Sequence, residues 1–164
     1  MEIVKRPASR SDSELIRTWR NSPSARKVSQ SANELSEAEH AIWFESRIDR
    51  LSSEPFWIMS RGRKDVGFVR LDFSDIERDS FAVSIFVDPE FRAMGIGKQM
   101  LGLALNSVHA DHGIYQYRAV IKRDNLGSIK LFKGFGFEFF VHVDVQFDEY
   151  RMTTSQKDSS APSI

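Results

Sequence analysis

"IFVDPEFRAMGIGKQML", Ile85 to Leu101, begins as a strand and ends as a helix. Ile85, Phe86 and Val87 are β-branched or aromatic, and Pro89 stops the run. From Ile96 onward the spacing turns helical: Met100, Leu101, Ala104, Leu105 and Val108 repeat at three and four residues. Between strand and helix lies Arg92-Ala93-Met94-Gly95-Ile96-Gly97, followed by Lys98. A helix start offers unpaired N–H groups and the positive end of a dipole. Gly95 and Gly97 let backbone approach a ligand closely, and Arg92 and Lys98 add charge. The stretch therefore reads as a cradle for a pyrophosphate. Its spacing is neither Gly-x-Gly-x-x-Gly nor Gly-x4-Gly-Lys-Ser/Thr, which argues against a dinucleotide fingerprint and a P-loop.

The flanks extend this unit into a domain. Ile3 and Val4 open a first strand. Two amphipathic helices follow, each with a capping-box pattern: Ser11 with Glu14 ahead of Leu15, Ile16 and Trp19, and Ser36 with Glu39 ahead of Trp43, Phe44, Ile48 and Leu51. The basic, polar segment Asn21 to Leu35 between them reads as a loop. "FWIMS" and "VGFVRLDF" form a hairpin around "RGRKD", and "ERDS" turns the chain into "FAVSIFV". After the central helix, "YQYRAVI" is a strand whose helical crossover makes it parallel to its predecessor. "LGSIKLFKGFG" is a short helix, and alternation from Phe137 through Phe139, Val141, Val143, Val145 and Phe147 predicts one long strand over 137–152. The fold class is α+β: one mixed sheet, an antiparallel N-terminal meander with a parallel centre, covered by helices. Residues 1–152 form one domain, and the Ser-rich residues 153–164 a disordered tail.

The 164 residues carry 23 basic and 23 acidic side chains, so bulk charge points to neither nucleic acid nor an anionic membrane. Without cysteine there is no disulfide, thiolate metal site or Cys nucleophile, and the four His lack metal-ligand spacing. No apolar run reaches membrane-spanning length, and the N-terminus lacks a signal core. A cytoplasmic chain made without presequence is expected, with no metal.

"VDPEFRAMGIGKQML" resembles the acetyl-CoA-binding motif of the GNAT superfamily of N-acetyltransferases, and "NLGSIKLFKGFGF" is similar to that family's second conserved segment. The two stand in the family's order, and the element pattern agrees over about residues 3–150. The resemblance implies the GNAT fold and acetyl-CoA as co-substrate. Ile85, Phe86 and Val87 would bind the pantetheine arm, and the N–H groups of Arg92, Ala93, Met94, Gly95, Ile96, Gly97 and Lys98 the pyrophosphate. Asn125 would contact the CoA chain beside Ser128 and Phe132, and an N–H near Val87 would stabilise the oxyanion. Many members carry a Tyr acid where Phe132 stands and a Glu base near Ala82, and both are absent. Ser84 is then the first candidate for a catalytic polar role, or a small core residue; Tyr117 is the second, or a packed strand Tyr.

The family reads its acceptor with the first two helices and their loop. Arg20, Asn21, Arg26, His40, Trp43 and Phe44 are the candidates there; the two Arg would bind a second anion, and Trp43 or Phe44 would stack on a base. With "FWIM" and "VGFVRLD", they resemble the acetyltransferases of pseudaminic acid biosynthesis, which acetylate the 4-amino group of a UDP-linked 4-amino-4,6-dideoxy sugar for flagellar or surface glycans. A small-molecule acceptor of this kind is the expected partner, for a monomer or homodimer. Trp19-Arg20-Asn21 and Trp43-Phe44 also resemble ribosomal-protein N-terminal acetyltransferases, which keeps a protein acceptor open. A CoA-binding module without catalysis is the third reading.

Overall fold

The computed structural model describes residues 2–73, 80–112 and 116–154. Strand β1 (Ile3–Pro7) leads through a 3-10 turn (Arg10–Asp12) into α1 (Ser13–Asn21), α2 (Pro23–Val28) and α3 (Glu37–Ile48). Strands β2 (Phe56–Arg61), β3 (Lys64–Phe73) and β4 (Ser80–Val87) follow. After a second 3-10 turn (Pro89–Phe91) come α4 (Ile96–His112), β5 (Gln116–Lys122), α5 (Leu126–Lys133), β6 (Glu138–His142) and β7 (Phe147–Thr153).

The seven strands form one sheet in the order β1-β2-β3-β4-β5-β7-β6, in which β4 and β5 are parallel and the other pairs antiparallel. Period-two alternation sends successive side chains to opposite faces. Trp57, Met59, Val69 and Leu71 pack on one face with Ile96, Met100, Leu101 and Ala104 of α4. Phe56, Ile58, Phe68 and Phe86 pack on the other with Ile16 and Trp19 of α1 and Phe44 and Ile48 of α3. The sheet is thus covered on both faces.

One departure from a continuous sheet matters most. Ser80, Phe81 and Ala82 are in register with Gln116, Tyr117 and Arg118, and the β4–β5 ladder stops there. Beyond it β4 stays on β3 as far as Val87, while β5 stays on β7 as far as Lys122. The two parallel strands therefore diverge, and a cleft opens between their C-terminal halves.

Four sequence expectations need correction or fall outside the described residues, and a fifth, the tail expected at 153–164, lies outside them from residue 155 on, with Thr153 closing β7. The capping box lies two residues earlier than Ser11 and Glu14 predict and opens the 3-10 turn ahead of α1: the Asp12 carboxylate accepts from the Ser9 N–H at 2.8 Å and the Ser9 hydroxyl at 2.9 Å. The Asn21–Leu35 segment contains a helix, α2, with Pro23 in its first turn and Ser22 Oγ accepting from the Ala25 N–H. The single strand over 137–152 is two strands, because Asp144 turns the chain by accepting from the Gln146 and Phe147 N–H groups at 2.7 and 2.8 Å. The "ERDS" turn lies at residues 77–80, of which 77–79 are outside the described residues. The Ser36–Glu39 box and the hairpin at Gly62–Arg63 stand as read.

Candidate active site

The cleft between β4 and β5 holds two adjoining cavities. The larger, about 730 Å³, is lined by Ile85, Phe86 and Val87 of β4, by Arg92, Ala93, Gly95, Ile96, Gly97 and Lys98 of the turn, and by Asn125 and Ser128 of α5. Beyond Ala82 no β4 residue has a register partner on β5, so the backbone edge facing the cleft is available to a ligand. The N-terminus of α4, seventeen residues long, opens into the same cavity. Gly95 sits at φ +73°, and even Ala93 adopts φ +60°, which sets the tight turn before the helix. A linear ligand with an amide-bearing arm and a pyrophosphate matches both walls.

Arg92 frames this cavity. Its Nε donates to the Val87 carbonyl at 3.0 Å and its Nη2 to Ser24 Oγ at 3.1 Å, tying the end of β4 to α2. Asp88 fixes the start of the turn by accepting from the Glu90 N–H at 3.0 Å and from Trp19 Nε1 at 3.2 Å. The Asn125 side chain accepts from the Ser128 N–H at 3.2 Å and so caps α5. Met94 is exposed at the turn, outside the walls of the larger cavity.

The smaller cavity, about 410 Å³, shares Ile85, Phe86, Asn125 and Ser128 with the larger one and continues to Arg20, Arg70, Ser84, Lys122 and Phe132. Ser84 is therefore on the cleft, near the junction. Tyr117 is fully buried and lines neither cavity; it stacks on Phe81 with centroids 6.3 Å apart.

The six acceptor candidates separate. Arg20 lines the smaller cavity. Trp43 lies behind it, with the Arg20 guanidinium 4.6 Å and the Arg70 guanidinium 5.1 Å from its ring centroid. Burial, and then neighbouring Arg70, lowers the Arg20 pKa below its ordinary value. Asn21 instead clips α1 to Leu35, donating to its carbonyl and accepting from its N–H, both at 2.9 Å. Arg26 donates to the Ala32 carbonyl at 2.9 Å and faces Glu34. Phe44 is core. His40 is buried too, its Nε2–H donating to the Ser13 carbonyl at 2.8 Å and its ring stacked on Phe44. Asn21, Arg26, His40 and Phe44 line neither cavity.

Sequence reasoning passed over Arg70. Its Nε meets Asp72 Oδ2 at 2.7 Å, while Asp72 Oδ1 meets the buried Arg47 Nε at 2.8 Å. Only strand register, invisible in a sequence, brings Arg70 opposite Ser84. Among the described residues no group of three His, Cys, Asp or Glu is placed to hold a metal ion, and no helix is long and apolar enough to cross a membrane.

The model of the acetyltransferase (GNAT) family matches residues 15–137, most of the chain. The chain belongs to the GNAT family. This is an acyltransferase family whose members act on small molecules or proteins. A relative, an uncharacterized N-acetyltransferase of Methanocaldococcus jannaschii, is 30% identical over 107 residues, which are 60% of this chain and 45% of that protein. The match thus spans less than half of the relative's length. A solved domain from Methanocaldococcus jannaschii superposes with TM-score 0.80 at 24% identity, covering 93% of this chain and 99% of that one. A phosphinothricin acetyltransferase from Sinorhizobium meliloti, solved with acetyl-CoA, has TM-score 0.79 at 22% identity, covering 99% and 94%. At these identities the structural matches show that the GNAT chain has the GNAT fold.

Proposed function

We propose that this chain transfers the acetyl group of acetyl-CoA to a primary amine, and that the amine belongs to a UDP-linked 4-amino-4,6-dideoxy sugar. One observation carries the transfer reading. The diverging strands join a cavity suited to the CoA arm and pyrophosphate to a second cavity through shared walls at Ile85, Phe86, Asn125 and Ser128. A donor in the first cavity and an amine in the second would meet at those walls, which supplies proximity and orientation.

Acetyl-CoA, when bound, supplies a thioester carbonyl open to direct attack by a neutral amine. The chain's own groups do the rest. The Ile85–Val87 backbone would hold the pantetheine amides, and the N–H groups of Gly95, Ile96, Gly97 and Lys98 the pyrophosphate. The β4 edge without β5 partners would offer an N–H to developing negative charge on the carbonyl oxygen. Ser84 is the polar side chain of β4 closest in sequence to these walls and would hold or deliver a proton. Phe132 is buried, carries no proton, and would exclude water from the junction. For the acceptor, the basic lining at Arg20 and Lys122 supports a phosphate-bearing sugar.

The test is release of free CoA from acetyl-CoA, with the UDP-4-amino sugar and with an alanine-starting peptide. Release with the sugar alone is expected. Release with the peptide alone would move the acceptor to protein N-termini, and release with neither would leave a CoA binder.

A further inference from the structure

The second cavity carries an imbalance of charge. Its described walls contain Arg20, Arg70 and Lys122 and no Asp or Glu. Lys122 is occupied, donating to the Lys27 carbonyl at 3.0 Å with Asp124 3.8 Å away. Behind the wall, three guanidiniums share two carboxylates. Arg47 and Arg50 meet Glu54 at 3.1 and 3.0 Å, and Arg47 and Arg70 meet Asp72 at 2.8 and 2.7 Å. Both carboxylates are thus engaged from two sides. Arg20 is a further guanidinium beside this network, and among the described residues it has neither hydrogen bond nor ion pair.

A half-buried guanidinium without an acceptor is unfavourable, and a second like charge beside it adds to the penalty. Contact with Trp43 recovers part of this. The same contact holds both guanidiniums at one ring, at 4.6 and 5.1 Å from its centroid. Such a pair is built for a planar or tetrahedral oxyanion, which takes parallel N–H donors from guanidinium. Trp43 is then a positioning residue for two cations and not a platform for a base.

We infer that Arg20 and Arg70, oriented by Trp43 and Asp72, form an anion subsite, and that the acceptor is an amine carrying an oxyanion group, either a diphosphate or a carboxylate. This rests on the transferase reading above and narrows it. Polyamines are excluded as acceptors, because the cavity offers their ammonium groups no described carboxylate and three like charges.

The experiment is isothermal titration of CoA-saturated protein, so that the pyrophosphate cradle is filled and no acetyl transfer occurs. UDP probes the diphosphate source, L-methionine the carboxylate source, and spermidine the opposite charge. One of the two anionic probes is expected to bind, and to weaken at least tenfold in Arg20→Gln, with CoA affinity unchanged. Arg20→Lys should recover part of the loss. Arg70→Gln, which leaves Asp72 with Arg47, is a second variant with the same expected loss, and CoA affinity reports whether each variant is folded. Binding of neither anionic probe, anion binding indifferent to both substitutions, or spermidine binding would overturn the subsite. Arg20-dependent anion binding together with no CoA release from acetyl-CoA and any amine of that class would support the subsite and remove the transfer reading instead.

Discussion

Arg70 and Ser84 are register partners across the β3–β4 ladder, and Arg70 Nη2 donates to Ser84 Oγ at 3.3 Å. A guanidinium can only donate, so the hydroxyl oxygen is the acceptor and its own proton points elsewhere. Ser84 lines the second cavity, which makes that proton available to a group bound there. The resemblance to the family implies a Tyr acid where this chain has Phe132, and we propose Ser84, which lines the same cavity, in its place. Ser84→Ala is expected to lower kcat roughly 100-fold, the scale of a lost general acid. Acetyl-CoA affinity and melting temperature should barely move. An unchanged kcat would make Ser84 a packing residue.

Gly97 separates folding from binding. A Cβ there would meet Leu131 Cδ2 and Val87 Cγ2 at 3.5 Å each, ordinary contact distances. Gly97→Ala should fold normally. Gly97→Glu adds a carboxylate to the first turn of α4, where the helix dipole favours negative charge by about 0.3–1 kcal/mol. The fold should therefore survive while acetyl-CoA affinity drops more than about 100-fold by like-charge repulsion in the cradle. Titration calorimetry alongside thermal melting checks this, and normal binding by the Glu variant would sink the cradle assignment.

What could be read in advance follows a physical division. The strand–turn–helix from Ile85 was legible because Pro89, Gly95 and Gly97 punctuate two clear periodicities. Helix α2 was not, because none of its residues is buried and no apolar face marks it. The break between β6 and β7 was hidden because Val143 and Val145 continue the alternation while remaining exposed. Within the site, local backbone chemistry was visible and long-range pairing was not. Ser84 and Arg70 meet only through register, fourteen residues apart. On α3, helical period placed His40, Trp43 and Phe44 on one face, but not which of them would look into the core.

Gly67 couples the sheet to the cleft. It lies opposite Val87 at φ +154°, beside the irregularity at Met59 and Ser60. A Cβ there would stand 2.0 Å from the Phe86 carbonyl oxygen, a clash that backbone must move to relieve. Gly67→Ala should destabilise the protein by more than about 1 kcal/mol, as for Ala forced into a positive-φ site. Because Phe86 lines both cavities, acetyl-CoA affinity should fall as well. Urea unfolding with and without acetyl-CoA measures both, and an unchanged midpoint would show that the strands separate without penalty.

His40 gives the fold a pH dependence whose sign is fixed by its surroundings. Its Nε2 must carry a hydrogen, since its partner is the Ser13 carbonyl, while its buried Nδ1 has no partner among the described residues. A proton added at Nδ1 would be a buried charge without an acceptor. Burial is the main cause that lowers the His40 pKa below the ordinary value of 6.5, and nearby Arg20 and Arg17 act in the same direction. The unfolded chain therefore binds this proton more readily than the native one. Stability from neutral His40 is fully present above the ordinary His value and is lost as pH falls from there through the lowered native value. Melting temperature should decline between pH 7 and pH 5, and the decline should be shallower in His40→Gln, which cannot titrate. Equal slopes in the two proteins would show that His40 takes up its proton in the native state without penalty.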